Sequence, residues 1–541
     1  GLGDVYKRQV LPFANNSTNE ENIYFCNGIM AGIHDYLAKI PEFYVVSRLS
    51  VEPYRNTSFP LKVIAKKLGV NYIIEGLVQR IGNRAIISAE LIQVNDNKVL
   101  WSERYDEDVS EIFTVQANVI ESITNNLEAI ISPNVIAQLR EIPTQDTLAY
   151  DHFLKGEEYR FKANRLLQKT EDWLELLNKA QLSYDLAIER DSLFAQAYLG
   201  LAFCVYERNE PYVLDENSLD EMLALANKAI KIKPNLSDGY AIKGIYFNNI
   251  NQKDLANKNL TKALNYNPNN RIALMSTIHS YLNDENYKDA VLTLNKMERL
   301  AEFNSQMVYV YRKYGFFNGL MERYTAEDYY LNKSTEKDST FNVSRAWFYL
   351  KSSQFEKAIA YLEKRCTEDN QNLNGFLGWV YLQMKDNNKA IQYYKKWYDL
   401  VDKEGMNSIV SQDSYHSYGL ALLNEGQKEK GLELLQKQIS VSNNIMNSKR
   451  SEKHTKASAY YDNIGLYATL GEYDKAYAYM KKFEESNGWM LSGGMYVFAK
   501  VDVKLDVLRN NLQFNEFMKR GKKHLEDIQN QIQPYLPSVP P

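Results

Sequence analysis

Two hydrophobic periods divide this chain. In residues 84–94, Ala85, Ile87, Ala89 and Leu91 alternate with Ile86, Ser88 and Glu90, the pattern of a strand with one face on a core. Similar runs at 71–81 and 98–106 flank it, joined by turn residues at Gly82–Asn83 and Asp96–Asn97. Val10–Phe13 and Phe43–Ser47 predict two shorter strands. Helical spacing alternates with these runs. A helix is predicted over 21–39, with Thr18 and Glu21 as a capping box, Ile29, Ile33 and Leu37 as its stripe, and Gly28 and Gly32 as a smooth strip suited to lying close on a sheet. Pro60–Leu68 predicts a short helix opened by Ser58 and Pro60 and closed by Gly69. A longer one carries Ile112, Val115, Val119, Ile123, Leu127 and Ile130, with Asp108 or Ser110 at its start and Pro133 after its end. Together these predict an α/β domain over 10–132, a small mixed sheet with flanking helices, followed by a linker at 133–146.

Beyond Thr147 the period is helical and the sequence repeats itself. Ala229 recurs as Ala263, Pro234 as Pro268 and Ala256 as Ala290, each pair 34 residues apart. A fixed period of this length marks stacked helix pairs, with small residues where helices approach closely and proline after the second helix. Tyr240, Gly244, Phe247, Ala256, Leu260, Ala263 and Pro268 resemble the pattern of the tetratricopeptide repeat (TPR). Ala180, Ala326, Ala358, Ala390 and Ala476, with Met222 and Gly431 in less regular units, extend the register to residue 485, about nine pairs in all. Insertions are expected near 162–178, 206–218 and 440–456. The fold class is therefore an α/β N-terminal domain followed by an all-α TPR-type solenoid, with capping helices and a Pro-rich tail over 486–541.

Composition narrows the partners. With 64 basic and 68 acidic residues, the net charge of -4 supplies no electrostatic footprint for nucleic acid. No run of about 18 apolar residues is present to span a membrane. Three cysteines, Cys26, Cys204 and Cys366, lie far apart in apolar settings and read as core thiols, which decide no compartment. The opening GLGDVYKRQ lacks an initiator methionine, and its DVYKRQ portion reads as adaptor sequence. The expectation is that residues 1–9 stand outside the fold and that the natural chain begins further upstream.

Chemistry-bearing motifs are scarce. The chain has no GxxxxGK[ST], HExxH, CxxC or GxSxG run, and its six histidines never pair at ligand spacing. No catalytic residue, metal or cofactor is assigned. Glu75, Glu90 and Glu103, with Trp101, fall on neighbouring predicted strands, either as edge charges or lining a small-molecule pocket. In the array, Trp347 and Trp379 occupy the same place in successive first helices, one residue after the small residue. In TPR proteins that place faces the concave groove, where stacked indoles bury much area at low entropic cost. Asn248, Asn249, His279 and Asn283 lie on first helices in other units and are further groove candidates, where polar side chains can bind a peptide backbone. His279 and Ile245 stand where a TPR groove that grips a C-terminal carboxylate has asparagine, so that particular partner is not indicated. The cluster MKRGKKH at 518–524 reads as a solvated helix face.

The segments VLPFANNS, YFCNGI, VVSRLS, IAKKLGVNYIIEG, ISAELI and LWSERYDEDVSEIFTVQ resemble the amino-terminal α/β domain of bacterial TolB-like proteins over about residues 10–131. That resemblance implies a signalling or regulatory accessory module, with TPR units after it and commonly a nucleotide-cyclase or winged-helix domain before it. It supplies no catalytic residues. The expected function is a non-enzymatic interaction protein that binds a protein or peptide in the solenoid groove. The alternatives are the regulatory portion of a larger cyclase or transcription regulator, and a small-molecule sensor acting through the α/β domain. A bacterial cytoplasmic setting is expected ahead of a periplasmic one, with any membrane tether lying upstream.

Overall fold

The computed structural model of the chain describes residues 7–17, 19, 22–37, 40, 44–45, 48–55, 57–127, 141–166, 171–208, 216–250, 252–300, 305–337, 343–364, 366, 370–404, 414–447, 453–486, 488 and 495–538. They form two compact units. The first holds residues up to Asn248 with Lys253–Ser280 and Leu292–Val310; the second holds Asn249–Gln252, Tyr281–Val291 and Tyr311 onward. Thr18, Glu21, Ile130, Pro133 and most of the expected linker lie outside the described residues, as do parts of the three expected insertions.

The first unit opens with a mixed sheet of β1 (Lys7–Val10), β2 (Ala14–Asn15), β3 (Tyr44–Val45), β4 (Tyr72–Ile81), β5 (Arg84–Gln93) and β6 (Lys98–Asp108). Strand order is β3-β1-β4-β5-β6, with β2 also on β4. β1 runs parallel to β3 and β4, whereas β4, β5 and β6 form an antiparallel meander. Lys7, Arg8 and Gln9, set apart from the fold in the sequence reading, take part in β1. The two turns of the meander need left-handed backbone, supplied by Gly82 and Asn97 at φ 58° and 52°.

Helices α1 (Ile23–Leu37), α2 (Arg48–Val51), α3 (Leu61–Leu68) and α4 (Ile112–Asn126) complete the domain. The alternation in β5 does what its pattern requires: Ala85, Ile87, Ala89 and Leu91 join Phe25, Ile29, Ile33 and Leu37 of α1 and Val115, Val119 and Ile123 of α4 in one core. Each of the valine, leucine, isoleucine and phenylalanine side chains contributes about 1.5–3 kcal/mol by leaving water. Asp108 caps the approach to α4, accepting from the Ser110 amide at 2.9 Å. At α3 the cap position belongs to Pro60, without a side-chain bond, while Gly69 closes the helix at φ 64°.

The glycine strip of α1 corrects one expectation. A Cβ on Gly28 would lie 2.5 Å from Leu154, and one on Gly32 2.5 Å from the Gln116 amide, so the strip admits neighbouring helices rather than the sheet. Leu154 belongs to the first array helix, and the core continues through it: Ala149, Tyr150, Leu154, Ala187, Phe194 and Ala197 pack with the sheet and α1. Polar ties reinforce the junction. Arg80 donates to both carboxylate oxygens of Asp151 at 2.6 and 2.7 Å, and Glu158 accepts from Asn27 at 2.9 Å and Arg48 at 2.7 Å. The α/β domain and the start of the array thus share one core.

The array continues as helix pairs: α5 (Thr147–Arg165) with α6 (Glu171–Arg190), α7 (Ala195–Arg208) with α8 (Glu216–Ile232), α9 (Ser237–Asn249) with α10 (Lys253–Tyr266), α11 (Arg271–Asn283) with α12 (Tyr287–Leu300), α13 (Ser305–Leu320) with α14 (Tyr324–Lys337), α15 (Val343–Lys351) with α16 (Phe355–Glu363), α17 (Gln371–Gln383) with α18 (Asn387–Glu404), α19 (Ser414–Asn424) with α20 (Lys428–Asn447), and α21 (Lys453–Thr469) with α22 (Tyr473–Glu485). The register alanines Ala180, Ala256, Ala290, Ala358, Ala390 and Ala476 are fully buried. Gly244 and Gly378 sit where a Cβ would strike Leu260 at 2.4 Å and Tyr394 at 2.9 Å, which is why α9 and α17 are small at that point. From α11 onward each first helix ends through a left-handed residue: Glu285, Glu322, Ser353, Lys385, Gly426 and Gly471.

Within the second unit, α23 (Met495–Ala499), a 3-10 turn at Val503–Leu508 and α24 (Leu512–Ile532) follow the array. Their expected place is as caps on the end of the stack, but these helices reach further. Near its start α24 is tied to α22, through Asn511 to Tyr477 at 2.6 Å and Arg520 to Glu484 at 2.7 Å. Towards its end, Gln529 donates to the Leu320 carbonyl of α13 at 2.9 Å. Its apolar stripe, Phe514, Phe517, Leu525, Ile528 and Ile532, is buried along this path, and the basic residues Lys519, Arg520, Lys522 and Lys523 face solvent.

Candidate functional site

In the second unit the first helices of four successive pairs present a continuous strip. Trp347 of α15 and Trp379 of α17 meet at 5.3 Å between ring centroids, with Phe376 completing an aromatic wall. The shared register of the two tryptophans is what brings them together. A third party then joins them: Phe498 of α23 stacks on Trp379 at 5.3 Å and 24°, and meets Trp347 edge-on at 5.3 Å and 79°. Tyr461 of α21 closes the slot, 6.0 Å from Phe498. Trp379 is buried in this arrangement and Trp347 half-buried.

Polar groups continue the strip. The Gln383 side-chain amide grips the segment after α23, accepting from the Val503 backbone at 3.0 Å and donating to Asp502 at 3.4 Å. Asp502 also accepts from the Tyr461 hydroxyl at 3.0 Å and the Lys504 amide at 3.1 Å, which starts the 3-10 turn. Lys504 reaches Asp462 of α21 at 3.2 Å, and His416 Nδ1 of α19 lies 2.7 Å from the same carboxylate oxygen. Side-chain exposures of His416, Asp462 and Lys504 are 0%, 4% and 2%, so the Asp462–Lys504 ion pair and its His416 neighbour lie away from water. Burial alone would raise the Asp462 carboxyl, but His416 and Lys504 outweigh it and hold the group below its ordinary value. Gly465 keeps the approach open, since a Cβ there would lie 2.8 Å from the Lys504 carbonyl.

The remaining groove candidates lie elsewhere. Asn248, in the first unit, is buried and donates to the Ser276 carbonyl at 3.3 Å. His279 belongs to the same unit, and Asn249 and Asn283 to the second; all three are half-buried.

A second concavity lies in the first unit, a cavity of about 740 Å³ lined by Leu11–Ala14 after β1, by Arg55 and Phe59–Leu61, and by Glu75, Ser88 and Glu90 of the sheet. Glu75 and Glu90 are direct partners across β4 and β5, and Glu90 accepts from Ser102 at 3.0 Å. Burial, then the Glu90 charge, pushes the Glu75 carboxyl upward. Trp101 and Glu103 do not join this pair. Their partners are Leu91 and Ala89, so they lie on the core face of the sheet, where Trp101 packs against the core and Glu103 accepts from Tyr105 at 2.7 Å. The period of two along a strand separates them.

The repeat register points to the two tryptophans but not to Gln383, His416, Tyr461, Asp462, Phe498, Asp502 or Lys504. The register that identifies array positions fades after Gly488, leaving no ruler for residues 495–508. Among the described residues no group of three or more His, Cys, Asp or Glu side chains is placed to hold a metal ion, and no helix is long and apolar enough to cross a membrane.

Comparison with known proteins bears on the same helices. A tetratricopeptide-repeat family model matches residues 371–400, the pair formed by α17 and α18. The chain contains tetratricopeptide repeats. It is 32% identical over 157 residues to putative adenylate cyclase 3 of Rhizobium meliloti (strain 1021), covering 29% of this chain and 27% of that protein. The chain therefore spans about a quarter of the curated relative it matches. Among solved structures it is similar to the Cut9–Hcn1 hetero-tetramer of the APC/C, with 14% identity, TM-score 0.34, and coverage of 76% of this chain and 72% of that one. It is also similar to TolB from Acinetobacter baumannii, with 17% identity, TM-score 0.18, and coverage of 23% and 28%.

Proposed function

We propose that this chain is a non-enzymatic interaction protein whose TPR array binds a segment of a protein partner along the strip on α15, α17, α19 and α21. One observation carries the reading: Trp347, Trp379 and Gln383 hold a peptide segment, with an aromatic side chain in the slot and a backbone amide on the glutamine. Large rigid rings and a side-chain amide that reads backbone are the means by which helical arrays bind extended peptides. The test uses the full chain. Once a partner is identified by co-purification, Trp347→Ala lowers its affinity by about tenfold or more, the scale of an aromatic hot spot, with the thermal melt of the array retained. Unchanged affinity would sink the proposal.

A second reading places this binding function inside a larger regulatory protein. The identity to a putative adenylate cyclase favours it, as does the order of a TolB-like domain followed by TPR units. In that reading the chain's array recruits or restrains an effector encoded upstream. Recovering the complete open reading frame tests it: a cyclase or winged-helix segment before Val10 supports it, and a signal peptide leading directly into Val10 removes it.

A further inference from the structure

The segment on the strip carries its own recognition code. Its contacts come from side chains on first helices of different pairs: Trp347, then Trp379 and Gln383, then Tyr461 and Asp462, with His416 behind Asp462. Each anchor on the segment meets its chemical complement. Phe498 enters the indole slot, Asp502 meets two donors, and Lys504 meets a carboxylate. Asp502 and Lys504 are 0% and 2% exposed. Burying charges of this kind costs nearly as much in lost hydration as their pairing returns, whereas an unmatched charge in the same place is strongly penalised. The segment also buries Met495, Ala499, Leu505 and Leu508 in one core with Tyr461 and Ile464 of α21. Those apolar contacts hold the segment, and the buried, paired charges favour the right sequence.

We infer that Met495–Leu508 is a built-in occupant of the binding strip, and that the partner is a protein segment of the same chemistry: an aromatic residue followed four positions later by an acidic residue and six positions later by a basic one. The inference rests on the reading of the strip as a partner site and adds its regulation. Covalent attachment gives the chain's own segment an effective concentration in the millimolar range, so a partner in trans binds weakly until that segment is loosened. The strip is then self-masked, and whatever draws residues 495–508 away opens it.

A fluorescent peptide covering Met495–Arg509 tests this against the full chain by anisotropy. The double variant Phe498→Ala/Lys504→Ala changes only the tethered occupant and leaves the strip intact. It is expected to bind the peptide at least about tenfold more tightly than the wild-type chain. Equal affinity for the two chains, or no binding by a variant whose circular dichroism and melt match the wild type, overturns the inference. Should the variant fail to fold, hydrogen exchange of the wild-type chain decides. Excess peptide is expected to release protection at Val503–Leu508 while α17 and α21 stay protected, and unchanged protection overturns the inference. Adding Trp379→Ala to the double variant separates the two claims. Peptide binding that ignores this change defeats the strip as the site, whereas an authentic partner that depends on Trp347 while the double variant gains nothing defeats the masking alone.

Discussion

Two carboxylates in this chain are shifted in opposite directions, and the difference separates the two concave regions. Asp462, on the strip of the second unit, lies between His416 and Lys504, which hold it in the charged form despite its burial. Glu75, in the cavity of the first unit, is pushed towards the neutral form by burial and by Glu90 across the strand pair. The strip therefore contributes stability at neutral pH through matched charges, and the cavity costs stability through like ones. A like-charged pair is a local strain whose relief would require a proton or a cationic group.

Breaking the matched set gives the largest expected effect. Asp462→Ala leaves Lys504 buried without its counter-charge and His416 without its hydrogen-bond partner, and removing one member of such a buried pair costs about 3–5 kcal/mol. Urea unfolding of the full chain, followed by exchange at α21 and Val503–Leu508, measures it. A loss below about 1 kcal/mol would mean that the cluster is hydrated and the contrast with Glu75 unfounded. The same carboxyl sets a pH dependence. Because its value in the folded state lies below that of the unfolded chain, its contribution is complete above the ordinary carboxylate value near 4 and is lost as pH falls through the folded value. Protection of residues 503–508 should accordingly fall first on acidification.

The aromatic slot provides a smaller, more specific measurement. Trp379→Ala, Phe498→Ala and the double variant form a cycle whose coupling energy is expected near 1 kcal/mol, the value for a stacked ring pair beyond simple burial. Phe376→Leu alters the wall beside Trp379 but leaves both rings of the Phe498–Trp379 stack in place, and the coupling should survive it. A coupling near zero would show that the segment is held by its charges alone, and would narrow the partner's code to Asp502 and Lys504.

These residues show what the sequence made legible and what it withheld. The period of two in β5 and the 34-residue register reveal backbone and core positions, because repetition reports which faces are buried. They lead directly to Trp347 and Trp379, whose common place in the repeat forces them together. The occupant follows no period: Phe498, Asp502 and Lys504 lie beyond the last regular pair, and their meaning comes from contacts with residues as distant in sequence as Trp347. The cavity was half legible. Glu75 and Glu90 are paired by the turn at Gly82–Asn83, but that Trp101 and Glu103 lie on the opposite face follows only from the register of β6, which shifts between Leu91 and Ile92. Patterns locate elements, whereas sites assembled across elements need the fold.

Glu75→Gln gives the smallest expected effect and tests the other half of the contrast. A carboxyl whose folded value is raised contributes favourably below its unfolded value and loses that contribution as pH rises through the folded value. At pH 7 the charged Glu75 therefore costs stability, and the neutral amide of similar shape removes the cost. The variant should melt about 1 °C higher than the wild-type chain at pH 7, with the advantage gone below pH 4, where Glu75 is protonated in both states. Glu90→Gln relieves the same repulsion, so the double variant should gain less than the two single gains added together. A lower melting temperature for Glu75→Gln at pH 7 would mean that the charged form has a favourable partner in the cavity, and the two regions would then obey the same rule of matched charge.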